Sequence, residues 1–217
     1  MTSCVALLGG SFDPVHHGHV ALAELFDTLL CPDELRIVPA GQPWQKSSGL
    51  QATDDDRITM LELAFGESNI PFTIDLQEIE RNGPTYTVDT LRAVRAELGP
   101  EASIVFLMGA DQLHKLDTWR EWQALFSLAN IGVAARPGFE LATEKLPPAV
   151  AQELQHRLAE PKALRASPAG LVCVVHTLAV DISATEVRDA IRNGENANML
   201  VSPLVLDYIQ QHNLYKN

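Results

Sequence analysis

The chain has 217 residues, 46% of them hydrophobic and 20% charged, with only 13 Gly and 13 Pro, which suits one packed domain and excludes a disordered or fibrous protein. Its 16 basic against 28 acidic residues leave a formal charge of −12, which repels phosphate backbones and argues against nucleic acid as a partner. The longest apolar runs are far too short to cross a bilayer and no basic-then-apolar leader is visible, so a soluble, cytoplasmic protein with no membrane partner is expected.

In chain order, residues 4–8 are an apolar run closed by Gly9-Gly10, which reads as a buried strand entering a tight turn. From Gly18, the spacing of Val20, Leu22, Leu25, Phe26, Leu29 and Leu30 predicts a helix that Pro32 stops. Residues 35–38 read as a strand. Residues 39–52, with two prolines and two glycines, read as a long loop before Thr53 or Asp54 caps a helix to about Phe65. The alternation continues: strand 72–76, helix 87–98 ended by Gly99, strand 103–108, helix 119–126 and strand 130–135. Residues 136–167 are the least legible, a Pro-bearing connection around a helix near 149–158. Strand 171–178 follows, then a helix capped by Ser183 and running to Asn193-Gly194. Ser202-Pro203 opens the last helix, 204–212. This pattern predicts a doubly wound α/β fold with a mainly parallel, Rossmann-like sheet. It forms one domain, 1–217, with 183–217 as a helical extension and ligands at the carboxyl ends of the strands. Cys4, Cys31 and Cys173 are an odd, scattered set and read as reduced structural thiols.

So acidic a protein can hold a phosphorylated small molecule only by concentrating positive character locally. The segment Gly9-Gly10-Ser11-Phe12-Asp13-Pro14-Val15-His16-His17-Gly18-His19 does this where the first strand meets the first helix. Glycines admit a phosphate to the main chain, the helix start offers unpaired N–H groups, and His16 and His19 lie about one turn apart. The spacing matches neither the dinucleotide fingerprint nor the P-loop, which disfavours dehydrogenases and P-loop kinases. Two histidines without a third ligand make a weak zinc site, so no protein-held metal is expected. Asp13, placed before Pro14, either aims its carboxylate into the site or makes a turn, and the turn is favoured. His114, His156, His176 and His212 show no constellation.

The run resembles the signature of the nucleotidyltransferase superfamily marked by His-x-Gly-His, here His16-His17-Gly18-His19. A second element, Ile182-Ser183-Ala184-Thr185-Glu186-Val187-Arg188, is similar to that superfamily's Ile-Ser-x-Thr-x-x-Arg. Between them, Gly83-Pro84-Thr85-Tyr86-Thr87, Gly109-Ala110-Asp111, Asp117-Thr118-Trp119 and Arg136-Pro137-Gly138 resemble the bacterial nicotinate-nucleotide adenylyltransferases. The resemblance covers almost the whole chain. Ser11 stands where the family commonly has threonine, and Pro43-Trp44-Gln45-Lys46 keeps the cation but not the histidine of the family's loop.

The resemblance implies AMP transfer from ATP to nicotinic acid mononucleotide, without a covalent enzyme intermediate. A phosphate monoester has its second pKa near about 6, so the acceptor is already largely a dianion and needs no catalytic base. Charge stabilisation and positioning then carry the reaction. His16, His19, Arg188 and Lys46 are the implied catalytic residues. Gly9, Gly10, Ser11, Phe12, Gly18, Gly109, Ser183 and Thr185 join His16, His19 and Arg188 in ATP binding. Tyr86, Thr87, Asp111, Trp119 and Arg136 take the mononucleotide, with Trp119 against the pyridine, Asp111 on the ribose and the amides of Tyr86 and Thr87 on the ring carboxylate. Mg2+ held mainly by ATP phosphates is the implied cofactor. The alternatives are transfer to another phosphate acceptor such as phosphopantetheine, and a regulatory module that binds ATP without turnover. The sequence leaves self-association into a homo-oligomer open.

Overall fold

A computed structural model describes residues 3–43, 49–135, 145–176, 180 and 182–216. Six strands form one sheet: β1 (Cys4–Gly10), β2 (Glu34–Pro39), β3 (Phe72–Ile74), β4 (Ser103–Gly109), β5 (Asn130–Ala134) and β6 (Val172–Val175). Their order is β3-β2-β1-β4-β5-β6 and every pairing is parallel, as the alternation of strand and helix predicts. The chain leaves β1 toward β2 on one side, while β4 leads to β5 on the other. The gap between β1 and β4 is therefore the point where such sheets open a crevice at their carboxyl ends.

The helices are α1 (His17–Leu30), α2 (Asp54–Gly66), α3 (Thr87–Leu98), α4 (Leu125–Leu128), α5 (Pro148–Gln155), α6 (Pro161–Ala166), α7 (Ala184–Arg192) and α8 (Pro203–Gln211). Strand side chains alternate between two cores. Cys4, Ala6 and Leu8 face a core shared with Phe26 of α1, Met60 and Phe65 of α2, Val187 of α7 and Ile209 of α8. Leu7 and Ile104 face the opposite core, with Leu91 of α3, Phe126 of α4 and Leu154 of α5. Both faces of the sheet are thus covered, which is why its strands read as continuous apolar runs. No helix among the described residues is long and apolar enough to cross a membrane.

Two segments depart from the sequence reading. The helix expected at 119–126 is replaced by 3-10 turns at Ala110–Thr118 and Trp122–Ala124, followed by the short α4. Trp119 is extended (φ −74°, ψ 142°) and Glu121 is left-handed (φ 49°), so the chain bends rather than winds. The helix expected near 149–158 is α5, and the same connection holds a second helix that the sequence reading did not name, α6, each with Pro at its first turn. Between them the chain pairs with β6 through Leu158 and Val172. Cys4 and Cys173 are buried free thiols and Cys31 is exposed.

Candidate active site

β1 ends in Gly9-Gly10, and the next residue, Ser11, gives its carbonyl to Arg57 Nη1 at 2.7 Å. Arg57 is a fully buried residue of α2 whose other terminal nitrogen holds Asp54 at 2.6 Å. Phe12 takes φ 47° and buries its ring completely, with its edge 4.8 Å from the His19 ring by centroids. Its side chain belongs to the core beneath the loop, and Phe12 is not among the residues that line the cleft at the carboxyl ends of the strands. Asp13 also turns inward, as the turn reading favours. Its carboxylate accepts from Gln51 N (2.9 Å), Ala52 N (3.1 Å) and the Tyr215 hydroxyl (2.8 Å).

His16 caps α1 in extended conformation and its amide donates to His19 Nδ1 at 3.2 Å. That bond leaves the proton of a neutral His19 on Nε2, a donor. The two rings stack with centroids 3.7 Å apart. His16 is 7% exposed, and burial first, then the neighbouring His17, pulls its pKa down to about 4. It is therefore a neutral imidazole at neutral pH. A Cβ on Gly18 would lie 3.0 Å from His16 Nδ1, tight enough to push on the imidazole, and in ordinary contact, at 3.5 Å, with the Ile182 carbonyl of the second signature segment.

These segments wall a cleft of about 830 Å³ at the carboxyl ends of β1, β2, β4 and β5. Gly9, Gly10, Ser11, His16, Gly18 and His19 line one side. Thr87, Gly109, Asp111 and Trp119 line the other, and Ser183 and Ala184 close the rim. Thus α1, α3 and α7 all begin at the cleft. Their first-turn amides and dipoles supply positive potential where, among the described residues, no Lys or Arg lines the wall. The sequence reading looked for helix-start N–H groups beside locally concentrated cations; the described part of the wall carries the helix starts and the two histidines. The Ser183 hydroxyl caps α7 by accepting from Glu186 N at 3.1 Å.

Arg188 and Thr185 stand behind this rim and are not lining residues. Arg188 Nη1 donates to the Asp13 carbonyl at 2.6 Å and Nη2 to the Thr185 hydroxyl at 3.2 Å. The guanidinium from the late signature is thereby bonded to the loop that carries the histidines. Tyr86 is likewise off the lining, its ring beneath the Arg120 guanidinium at 4.7 Å, while its successor Thr87 is on it. Trp119 meets Phe106 edge to face, and its Nε1 is buried without a hydrogen-bond partner among the described residues. A Cβ on Gly109 would fall 2.6 Å from Asp111 Oδ1, so that glycine lets the carboxylate fold back over the end of β4. Lys46 and Arg136 lie outside the described residues.

Sequence reasoning missed several residues. Glu78 lines the cleft and accepts from Thr90 Oγ1 at 2.6 Å, and burial pushes its carboxyl pKa up despite that bond. His114, Gln112 and Thr90 also line it. Arg57 and Tyr215 support its floor. A fully buried arginine leaves no trace in hydrophobic periodicity, and Glu78 sits in a charged turn that reads as surface.

The chain matches the family described as cytidylyltransferase-like over residues 7–190. It is 56% identical over 217 residues to a probable nicotinate-nucleotide adenylyltransferase of Herminiimonas arsenicoxydans, covering 100% of this chain and 99% of the relative. It is 37% identical over 217 residues to the nicotinate-nucleotide adenylyltransferase of Escherichia coli O157:H7, covering 100% of both. Among solved structures, the nicotinic acid mononucleotide adenylyltransferase of Plasmodium falciparum complexed with NaAD superposes with a TM-score of 0.73. That match has 21% identity and covers 98% of this chain and 97% of the other, so the likeness is one of fold.

Proposed function

The chain belongs to the cytidylyltransferase-like family and, within it, to the nicotinate-nucleotide adenylyltransferases, and on that premise we propose that it transfers AMP from ATP to nicotinic acid mononucleotide, giving nicotinic acid adenine dinucleotide and pyrophosphate. The observation that carries the reading is the junction of the two signature segments at one cleft, where Arg188 bonds the loop of His16 and His19. The activity makes the protein an enzyme of NAD biosynthesis in the cytoplasm.

ATP lies along the Gly9–Ser11 turn, with its phosphates toward His16, His19 and the starts of α1 and α7. The acceptor occupies the side lined by Thr87, Asp111 and Trp119. Its phosphate dianion attacks the α-phosphorus in line, and pyrophosphate leaves from the opposite side. The P–O bond to the acceptor forms as the bond to the bridging oxygen of pyrophosphate breaks, and no proton need be removed first.

His19 donates from Nε2 to a phosphate oxygen, and neutral His16 lies against the same oxygens. Arg188, Thr185 and Ser183 hold the leaving charge, with Lys46 assigned to the same charge. Trp119 offers a flat apolar surface to the mononucleotide. Asp111 holds ribose hydroxyls, Arg136 contributes on the mononucleotide side, and the amides opening α3 at Tyr86 and Thr87 receive the ring carboxylate. This last contact selects nicotinate over nicotinamide. Among the described residues no three His, Cys, Asp or Glu side chains gather as a metal cluster. Magnesium held mainly through the ATP phosphates and water would neutralise charge on the departing pyrophosphate.

The test is pyrophosphate release by the purified protein with ATP, magnesium and either nicotinic acid mononucleotide or its amide. A strong preference for the acid is expected. Equal rates would remove the selectivity assigned to α3, and absence of release with both would remove the reading itself.

A further inference from the structure

The loop that carries the histidines is fastened from beneath by a residue far along the chain. Tyr215, 6% exposed, donates its hydroxyl to Asp13 Oδ1 at 2.8 Å across a sequence separation of 202. Asp13 is itself 1% exposed, and its two carboxylate oxygens take two further donors, Gln51 N and Ala52 N. The carbonyl of the same residue accepts from Arg188 Nη1 at 2.6 Å. One buried residue thus joins Tyr215 on its side chain to Arg188 on its main chain. Burial and the Asp13 carboxylate push the Tyr215 hydroxyl far above the usual phenol range, so it stays a donor at any working pH.

We propose that Tyr215, through Asp13, is a positioning residue that aims Arg188 and the His16 loop at the ATP phosphates; this rests on the assignment of that cleft to ATP. A buried carboxylate that loses a donor rotates or draws in water. Without the Tyr215 donor Asp13 is tied less tightly to the protein's interior, and its main chain, whose carbonyl orients the guanidinium, is held less firmly. Tyr208 provides an internal contrast, because its hydroxyl donates to Asp56 Oδ1 of α2 at 3.0 Å and, among the described residues, to no group of the loop. It fastens the same late segment without reaching the site.

The experiment compares Y215F, Y208F, R188Q and the double variant Y215F/R188Q by calorimetric titration with magnesium-ATP, beside melting temperatures and turnover. Y215F keeps the ring that fills the buried site and removes only one oxygen. Its Kd for ATP is expected to rise about fivefold to tenfold, with KM for the acceptor within twofold of wild type, whereas Y208F leaves both unchanged. In the R188Q background the same change is expected to add less than twofold, because the effect passes through Arg188. A lowered melting temperature with unchanged Kd, equal losses in Y208F, or additive losses in the double variant would each overturn the proposal. Failure of the acceptor assignment is separable: turnover is then absent while wild-type ATP binding remains measurable.

Discussion

The imidazole of His16 lies on that of His19 with centroids 3.7 Å apart, and the amide of the first donates to Nδ1 of the second. The pair is one unit in which the cap of α1 fixes the tautomer of the ring facing the cleft. Replacing His19 by Ala is expected to cut kcat/KM by at least about a hundredfold, the scale of a lost charge-stabilising donor. The capping bond it also removes is worth only about 1 kcal/mol. Steady-state kinetics beside a urea melt separates the two, and unchanged turnover in a folded H19A protein contradicts the role.

His16 makes stability depend on pH. Its folded pKa of about 4 lies below the ordinary value of 6.5. Between those values the unfolded chain binds the proton and the folded chain does not, so stability falls as pH falls through that window and is unaffected above it. The full effect is about 3 kcal/mol, reached below pH 4. In H16Q the fall in urea midpoint between pH 7 and pH 4.5 is expected to be shallower than in wild type; parallel curves would show that His16 is not the group responsible.

Gly18 is predicted to tolerate no methyl group without cost to catalysis. A Cβ there meets His16 Nδ1 at 3.0 Å, so G18A must displace the ring by a few tenths of an ångström. Turnover should drop about tenfold or more while α1, in which alanine is the better helix former, loses little stability. A G18A protein with wild-type kcat would show that the ring's position is not critical.

Arg57 carries the prediction for the loop's floor. R57M keeps much of the buried volume but strips the donor from the Ser11 carbonyl and from Asp54. A destabilisation of about 1.5–3 kcal/mol is expected, read as a lower urea midpoint at unchanged slope.

Thiol labelling checks the packing of the sheet. Cys31 is exposed, whereas burial raises the pKa of Cys4 and pushes that of Cys173 up to about 11. One thiol per native chain should react quickly with a maleimide at pH 7.5, and three after denaturation. Two fast thiols in the native protein would mean that β1 or β6 is open to solvent.

The architecture was legible because every strand except β2 and β3 is mainly apolar on both faces and most helices carry their own punctuation. Thr53 caps α2 with Asp56 answering it, Gly99 closes α3, and Ser202-Pro203 opens α8. The stretch from Ala110 to Leu128 was not legible, since Trp119 and Trp122 at helical spacing mimic a packed helix while the backbone turns at Glu121. On the site, the signature segments indicated which residues meet, but not how. Phe12 and Asp13 lie inside the motif yet face the interior, while Glu78 and His114 lie outside any motif and face the cleft. Side-chain direction at a bend depends on the tertiary neighbours, here Arg57, Tyr215 and Thr90, which are remote in sequence.

Three helices start at the cleft, and what they present to a bound anion is peptide N–H groups. Such donors cannot be deprotonated in the biological range, acetylated, or exchanged one at a time by point mutation. The counter-charge is shared among several chain segments, so the polyphosphate grip should erode gradually under mutation even where the chemistry fails at a single histidine.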